Sequence, residues 1–144
     1  PFACFIGNSL EEIILPETVQ SINEKAFMGN NLKSIVFNNS LSYLGNYCFA
    51  KNEELEKVDL LKTNISSIEN GAFKDCNIKE IIFNPFCFNI GEYAFANNSI
   101  KEIKLPQFIQ KIGKRAFYQN FISNKPSMED GIDKSAFEGQ TVIS

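Results

Sequence analysis

Apolar residues recur along this chain in a block of constant internal spacing. Leu10, Ile13, Leu15, Val19, Ile22, Ala26 and Phe27 are answered by Leu32, Ile35, Phe37, Leu41, Leu44, Cys48 and Phe49, with polar residues between them. The same order returns at Leu55, Val58, Leu60, Ile65, Ile68, Ala72 and Phe73, again at Ile78, Ile81, Phe83, Cys87, Ile90, Ala94 and Phe95, and again at Ile100, Ile103, Leu105, Ile109, Ile112, Ala116 and Phe117. Phe5, Phe27, Phe49, Phe73, Phe95, Phe117 and Phe137 follow one another at intervals of 22, 22, 24, 22, 22 and 20 residues, and Ala or Cys precedes each. One such unit cannot bury its own apolar side, so units of this length must stack as the coils of a solenoid.

Within each unit two periodicities alternate. In Glu11 to Leu15, Lys33 to Phe37 and Lys101 to Leu105 the apolar positions fall two apart, the period of a strand with one face buried. This predicts short strands starting near residues 12, 34, 57, 80 and 102 in a single parallel sheet on one face. A turn rich in Pro or Asn follows (Pro16, Asn38, Asn84 with Pro85, Pro106), and then apolar residues three and four apart, such as Val19, Ile22 and Ala26. That spacing predicts short helical or 3₁₀ turns on the other side of the coil. The small residue before each Phe allows close approach to the strand and predicts a spine of stacked rings. Asn30, Asn52, Asn98 and Asn120 come three residues after a spine Phe, with Cys76 in that place once. A buried amide there would satisfy backbone groups left unpaired by the bend.

The motif Leu-x-x-Ile-x-Leu-Pro-x-x-Val-x-x-Ile-x-x-x-Ala-Phe-x-x-Asn, read from Leu10 to Asn30 and again in its essentials from Ile100 to Asn120, resembles the BspA-type leucine-rich repeats. The resemblance runs through five consecutive units and the partial ones beside them. It implies a right-handed leucine-rich-repeat coil with a parallel sheet on one face. It also implies a cell-surface or secreted setting and a role in adhesion or in binding a protein such as a host or matrix protein. Neither an activity nor a cofactor goes with the repeat, and no binding residue transfers from it.

The expectation is one repeat domain over residues 1–144, about six repeats of 20 to 24 residues. The chain opens in mid-unit at Cys4-Phe5 and stops at Val142, where the next leading Leu would stand, which predicts a piece of a longer protein. Two departures stand out. The 24-residue third interval adds residues near Glu53-Glu54 and Leu61-Lys62, predicting loop bulges, and Ser123, Lys125, Pro126 and Ser127 break the strand pattern, predicting an irregular segment over 123–131.

Composition narrows the function. A net charge of −3 and a pI near 5.1 lack the basic stripe of a nucleic-acid binder. No apolar run approaches the roughly 18 residues of a membrane span, so direct insertion by this segment is not expected. The chain has no histidine, which removes Ser-His and Cys-His nucleophile pairs and the commonest general base. Adjacent carboxylates such as Glu11 and Glu12 point to opposite faces of a strand. Of the four cysteines, Cys4 and Cys48 sit about 10 Å apart by strand spacing, beyond disulfide reach, and Cys4 has no companion at metal-ligand spacing. Free thiols packed as small hydrophobes are expected, with no metal and no cofactor.

Any function should therefore lie on the exposed strand face. One outward column reads Glu12, Ser34, Lys57, Glu80, Glu102, and the next reads Ile14, Val36, Asp59, Ile82, Lys104. Apolar residues in an exposed row mark an interaction surface, although β-propensity alone also favours Ile and Val in strands. Phe86 and Phe108 fall at the same variable position of adjacent coils, with Phe88, Tyr47 and Tyr93 placed near them along the coils, and could act as binding anchors at the rim. These residues are the candidates for a non-enzymatic protein-binding module. The alternative is a structural spacer or stalk whose binding domain lies elsewhere in the parent chain, and oligomeric state is left open.

Overall fold

The computed structural model describes residues 5–127 and 130–143. The repeat unit becomes one coil of a parallel β-solenoid. Counting from Leu10, coils 1 to 6 begin at Leu10, Leu32, Leu55, Ile78, Ile100 and Ile122. Each of the first four contributes a three-residue strand and then a two-residue strand. These are β1 (Glu12–Ile14), β2 (Ser21–Ile22), β3 (Ser34–Val36), β4 (Tyr43–Leu44), β5 (Lys57–Asp59), β6 (Ser67–Ile68), β7 (Glu80–Ile82) and β8 (Asn89–Ile90), while coil 5 supplies only β9 (Lys111–Ile112).

Residues 102–104 form no strand, contrary to the sequence pattern, and the expected single sheet is absent from this face. The longer strands pair in parallel only as β1 with β3 and β5 with β7. The continuous sheet is the other one, β2-β4-β6-β8-β9, extended by a bridge from Ile112 to Ile132. Its strands contain Ile22, Leu44, Ile68, Ile90 and Ile112, which the three-and-four spacing had suggested were helical.

No helix occurs among the described residues. The reason is a left-handed residue in each coil. Hydrogen-bonded turns closing Asn23 to Ala26, Gly45 to Cys48, Glu69 to Ala72, Gly91 to Ala94 and Gly113 to Ala116 carry a positive φ at their third residue: Lys25, Tyr47, Gly71, Tyr93 and Arg115. A second follows two residues after the Phe, at Gly29, Lys51, Asp75, Asn97 and Gln119. A right-handed helix cannot pass through such residues, whereas a turn of the type II kind requires one at that place. A short strand followed by such a turn gives the same apolar spacing as a helix.

These turns point alternate amides along the stack. The N–H groups of Tyr93, Phe95 and Asn97 donate to the carbonyls of Lys114, Ala116 and Tyr118 at 3.1, 2.8 and 2.7 Å, and the corresponding residues of coils 1 to 3 do the same to the coils above them. Between these ladders lies the core. The spine rings stack with centroids 5.0 to 5.5 Å apart and planes within 10° of parallel, from Phe5 through Phe137. Such contacts add about 0.5–1.5 kcal/mol per pair to the burial itself. Phe37 and Phe83 meet the spine edge-on.

The asparagines close coils 1, 2, 4 and 5 as their spacing predicts. Asn98 accepts from Ile78 N–H at 2.9 Å and donates to the carbonyls of Phe73 and Phe95, and Asn30, Asn52 and Asn120 repeat the arrangement. In coil 6 Gln140 takes over, accepting from Ile122 N–H and donating to Phe117 O. Both expected bulges are exposed turns, at Glu53-Glu54 and at Leu61-Lys62. Residues 123–127 hold no strand, and the rest of that irregular segment up to 131 lies partly outside the described residues.

Candidate functional site

The strand face is interrupted at two seams, and the second of them opens a groove. Between coils 2 and 3 the Glu53-Glu54 turn intervenes. Between coils 4 and 5 a shallow groove of about 940 Å³ runs along the strand direction, walled by residues 79–83 on one side and 101–107 on the other. Leu61 reaches it from coil 3 and Asn124 from coil 6. Asn124 takes the place of a missing strand residue: its amide accepts from Ile103 N–H at 2.9 Å and donates to Ile103 O at 3.0 Å.

The candidates are divided by these seams. Ile14 and Val36 are cross-strand neighbours on β1 and β3, 68% and 51% exposed. Asp59 and Ile82 are partners on β5 and β7, but Asp59 also caps the following turn by accepting from Leu61 N–H at 3.0 Å. Ile82 is half-buried and Lys104 exposed, and both line the groove. Its far end is formed by Pro85, Pro106 and Gln107, which carry the chain into Phe86 and Phe108. Those two rings stack 5.6 Å apart at 15° and remain 61% and 44% exposed.

The structure thus sets Ile82 and Lys104 in one groove, with Phe86 and Phe108 next in the chain to its lining residues Pro85 and Gln107, and leaves Ile14 and Val36 as a separate pair. Tyr47 and Tyr93 do not join the rim. Tyr47 lies against Gly71, and Tyr93 packs beneath Lys74 Nζ at 5.7 Å, with its hydroxyl 3.4 Å from Arg115. Leu61 belongs to the site and was not among the candidates. Its signal was an exposed leucine placed in an inserted loop.

Electrostatics at the groove comes from columns of exposed charge. Glu11 pairs with Lys33 at 3.6 Å, Glu56 with Lys79 at 3.0 Å and Lys57 with Glu80 at 3.9 Å. The thiols lie elsewhere, inside the coils. Cys48, Cys76 and Cys87 are free; burial pushes the Cys87 thiol up to about 11, Cys76 up to about 12 and Cys48 higher still. These are inert thiols, the reverse of an activated nucleophile. The reading of Cys4 falls outside the described residues. Among the described residues no group of three or more acidic or thiol ligands gathers in a way that could hold a metal ion. A second depression, of about 580 Å³ near Asp75 and Asn77, has polar groups that bond to one another, as Asn97 does to Asp75 and Ser99 to Asn77.

Stacked coils, bend asparagines in four of the coils and a ring spine define a repeat scaffold whose variable residues are the strand face and its rim. The family profile of the BspA type leucine rich repeat region matches residues 1–124 in six copies, and the chain belongs to that family. Leucine-rich-repeat domains generally mediate protein interactions, and proteins of this type are typically surface-located or secreted. No curated protein matches the chain significantly. No helix among the described residues is long and apolar enough to cross a membrane.

Proposed function

We propose that this chain is a non-enzymatic protein-binding module of a cell-surface or secreted protein, serving adhesion or capture of a partner such as a host or matrix protein. Its contact centres on the groove between coils 4 and 5, through Ile82, Lys104, Leu61 and the rim pair Phe86 and Phe108. The observation that carries this reading is the exposed, stacked pair Phe86 and Phe108, which directly follow Pro85 and Gln107 of the groove lining in the chain. Large aromatic surface held rigidly in water is what interface anchors are made of. Ile14 and Val36 form a second, smaller apolar contact, and Asp59 contributes chiefly by shaping the loop that carries Leu61. Support for a non-enzymatic role comes from the absence of histidine and from thiols whose pKa is driven upward.

The test is capture of surface and matrix proteins by the immobilised chain, set against two variants that keep the parent circular dichroism and melting temperature, Phe86→Ser with Phe108→Ser, and Ile82→Glu. Loss of the captured proteins in the ring variant is the expected result. If the parent captures nothing specific, the spacer reading replaces this one. If both variants retain every partner, the surface is only scaffold.

A further inference from the structure

The charges that line the strand face are complementary across both seams where its strands pair. At the seam between coils 1 and 2, Glu11 stands beside Lys33. At the seam between coils 3 and 4, Glu56 stands beside Lys79 and Lys57 beside Glu80. Carrying the same register forward one coil sets Lys79 beside Lys101 and Glu80 beside Glu102, like charge next to like charge at two successive positions. Like charges directly opposite each other on neighbouring strands are destabilising.

Strand pairing stops at that same seam, as it does between coils 2 and 3, but here no inserted turn intervenes. Ser99 N–H still donates to Ile78 O at 2.9 Å, but β7 is paired with β5 alone and residues 102–104 form no strand. Glu80 N–H and Ile82 O bond toward coil 3, to Glu56 O and Leu60 N–H, so the alternate backbone groups at Ile81 face coil 5. Ile103 is held from its other side by Asn124. Everything behind the strand face continues unbroken from coil 4 to coil 5. β8 pairs with β9, the amides of Tyr93, Phe95 and Asn97 bond across, and the rings of Phe95 and Phe117 stack at 5.5 Å.

A joint closed along one side and repelled along the other is a hinge. We propose that the seam between coils 4 and 5 is a charge-set hinge that opens and closes the groove, with Lys79, Lys101, Glu80 and Glu102 holding it ajar. The idea deepens the binding reading above, since the groove it controls is the one assigned there, but its test needs no partner. Screening by salt weakens the repulsion, because the Debye length falls from roughly 10 Å at 0.1 M to roughly 3 Å at 1 M. A partner bringing a cation to the two glutamates and an anion to the two lysines would act in the same direction.

The test is residue-resolved amide hydrogen exchange by NMR on the whole chain. In the parent, the amides of Lys101, Glu102 and Lys104 should exchange at least about tenfold faster than those of Lys79, Glu80 and Ile82, which occupy the same places one coil earlier, since exchange reports local opening. Lys101→Glu with Glu102→Lys restores complementarity and should slow the coil 5 amides by about tenfold or more, and raise the melting temperature. Lys79→Glu with Glu80→Lys closes this seam and creates like pairs against Glu56 and Lys57, so the fast-exchanging seam should move back by one coil. A role confined to local structure would not move it.

Equal protection of the two seams in the parent, or no slowing in the coil 5 swap, overturns the proposal. Should a swapped chain fail to fold, raising NaCl from about 0.05 to about 0.5 M on the parent decides it. Selective slowing at Lys101, Glu102 and Lys104 supports the hinge, and a uniform response or none overturns it. Failure here leaves the capture experiment standing, and failure of capture leaves this one standing.

Discussion

The two sides of each coil are held together by different means. On the turn side, bonding is the same at every step: alternate amides reach the next coil, an asparagine or its substitute ties the bend, and a ring stacks on the ring below. On the strand side pairing comes in doublets, β1 with β3 and β5 with β7, and ion pairs cross the seams that pair. The turn side must repeat, because a single missing amide partner or ring leaves a buried group unsatisfied or a cavity. The strand side is free to vary, since its side chains face water. Variation is therefore concentrated where the ladder is weakest.

The largest expected effect lies on the uniform side. Phe73 is fully buried between Phe49 and Phe95, and its replacement by Ala should cost about 3–5 kcal/mol, as for other buried phenylalanines. Phe5 has one stacking neighbour and is 44% exposed, so Phe5→Ala should cost well under half as much. Denaturant unfolding midpoints measure both. Equal losses would mean that the rings are decoration on a core held by something else.

Next in size is the response to alkali of a thiol packed inside coil 4. Cys87 is buried, and burial raises its pKa from 9.0 to about 11. Its contribution is fully present below the unfolded value and is lost as pH rises toward 11, because the unfolded chain releases the proton first. At about 1.4 kcal/mol per pH unit, this amounts to about 3 kcal/mol by pH 11. Cys87→Ala should flatten the fall of stability between pH 9 and 11, measured as the unfolding midpoint against pH. An unchanged slope would place this thiol in contact with water.

How far the sequence discloses this arrangement depends on whether a feature is demanded by every coil or by a relation between coils. The spine and the bend asparagines are demanded by each coil's geometry, so Phe27 through Phe117 and Asn30 through Asn120 announce them. The helical turns were misjudged because left-handed backbone was supplied by Lys25, Tyr47, Tyr93 and Arg115, residues with no bias to signal it, while glycine marks the place only at Gly71. Phe86 and Phe108 were legible as a pair at one variable position. Leu61 showed only as part of an insertion, and the open seam was hidden because no residue in it is unusual alone. Lys101 becomes significant only beside Lys79.

The smallest effect tests a place where the uniform side departs from its own rule. Cys76 occupies the bend asparagine's position and its thiol donates to Phe49 O at 3.3 Å, but it offers no carbonyl to Leu55 N–H. That amide bonds instead to Asn52 O at 3.1 Å, through the turn that the Glu53-Glu54 insertion provides. No such turn exists before Ile78, which depends on Asn98. Asn98→Cys should therefore cost about 2 kcal/mol for the unsatisfied buried N–H, within the usual range for such groups, whereas Cys76→Asn should change stability by no more than about 0.5 kcal/mol. Deleting Glu54 alone removes the substitute bond and should destabilise, and adding Cys76→Asn to the deletion should restore about 1–2 kcal/mol of that loss, a coupling of the size found between residues sharing one partner. Urea unfolding of the four chains completes the cycle. If the deletion and the substitution simply add, the extra residue and the missing asparagine are unrelated, and the bend of coil 3 is held by contacts other than these.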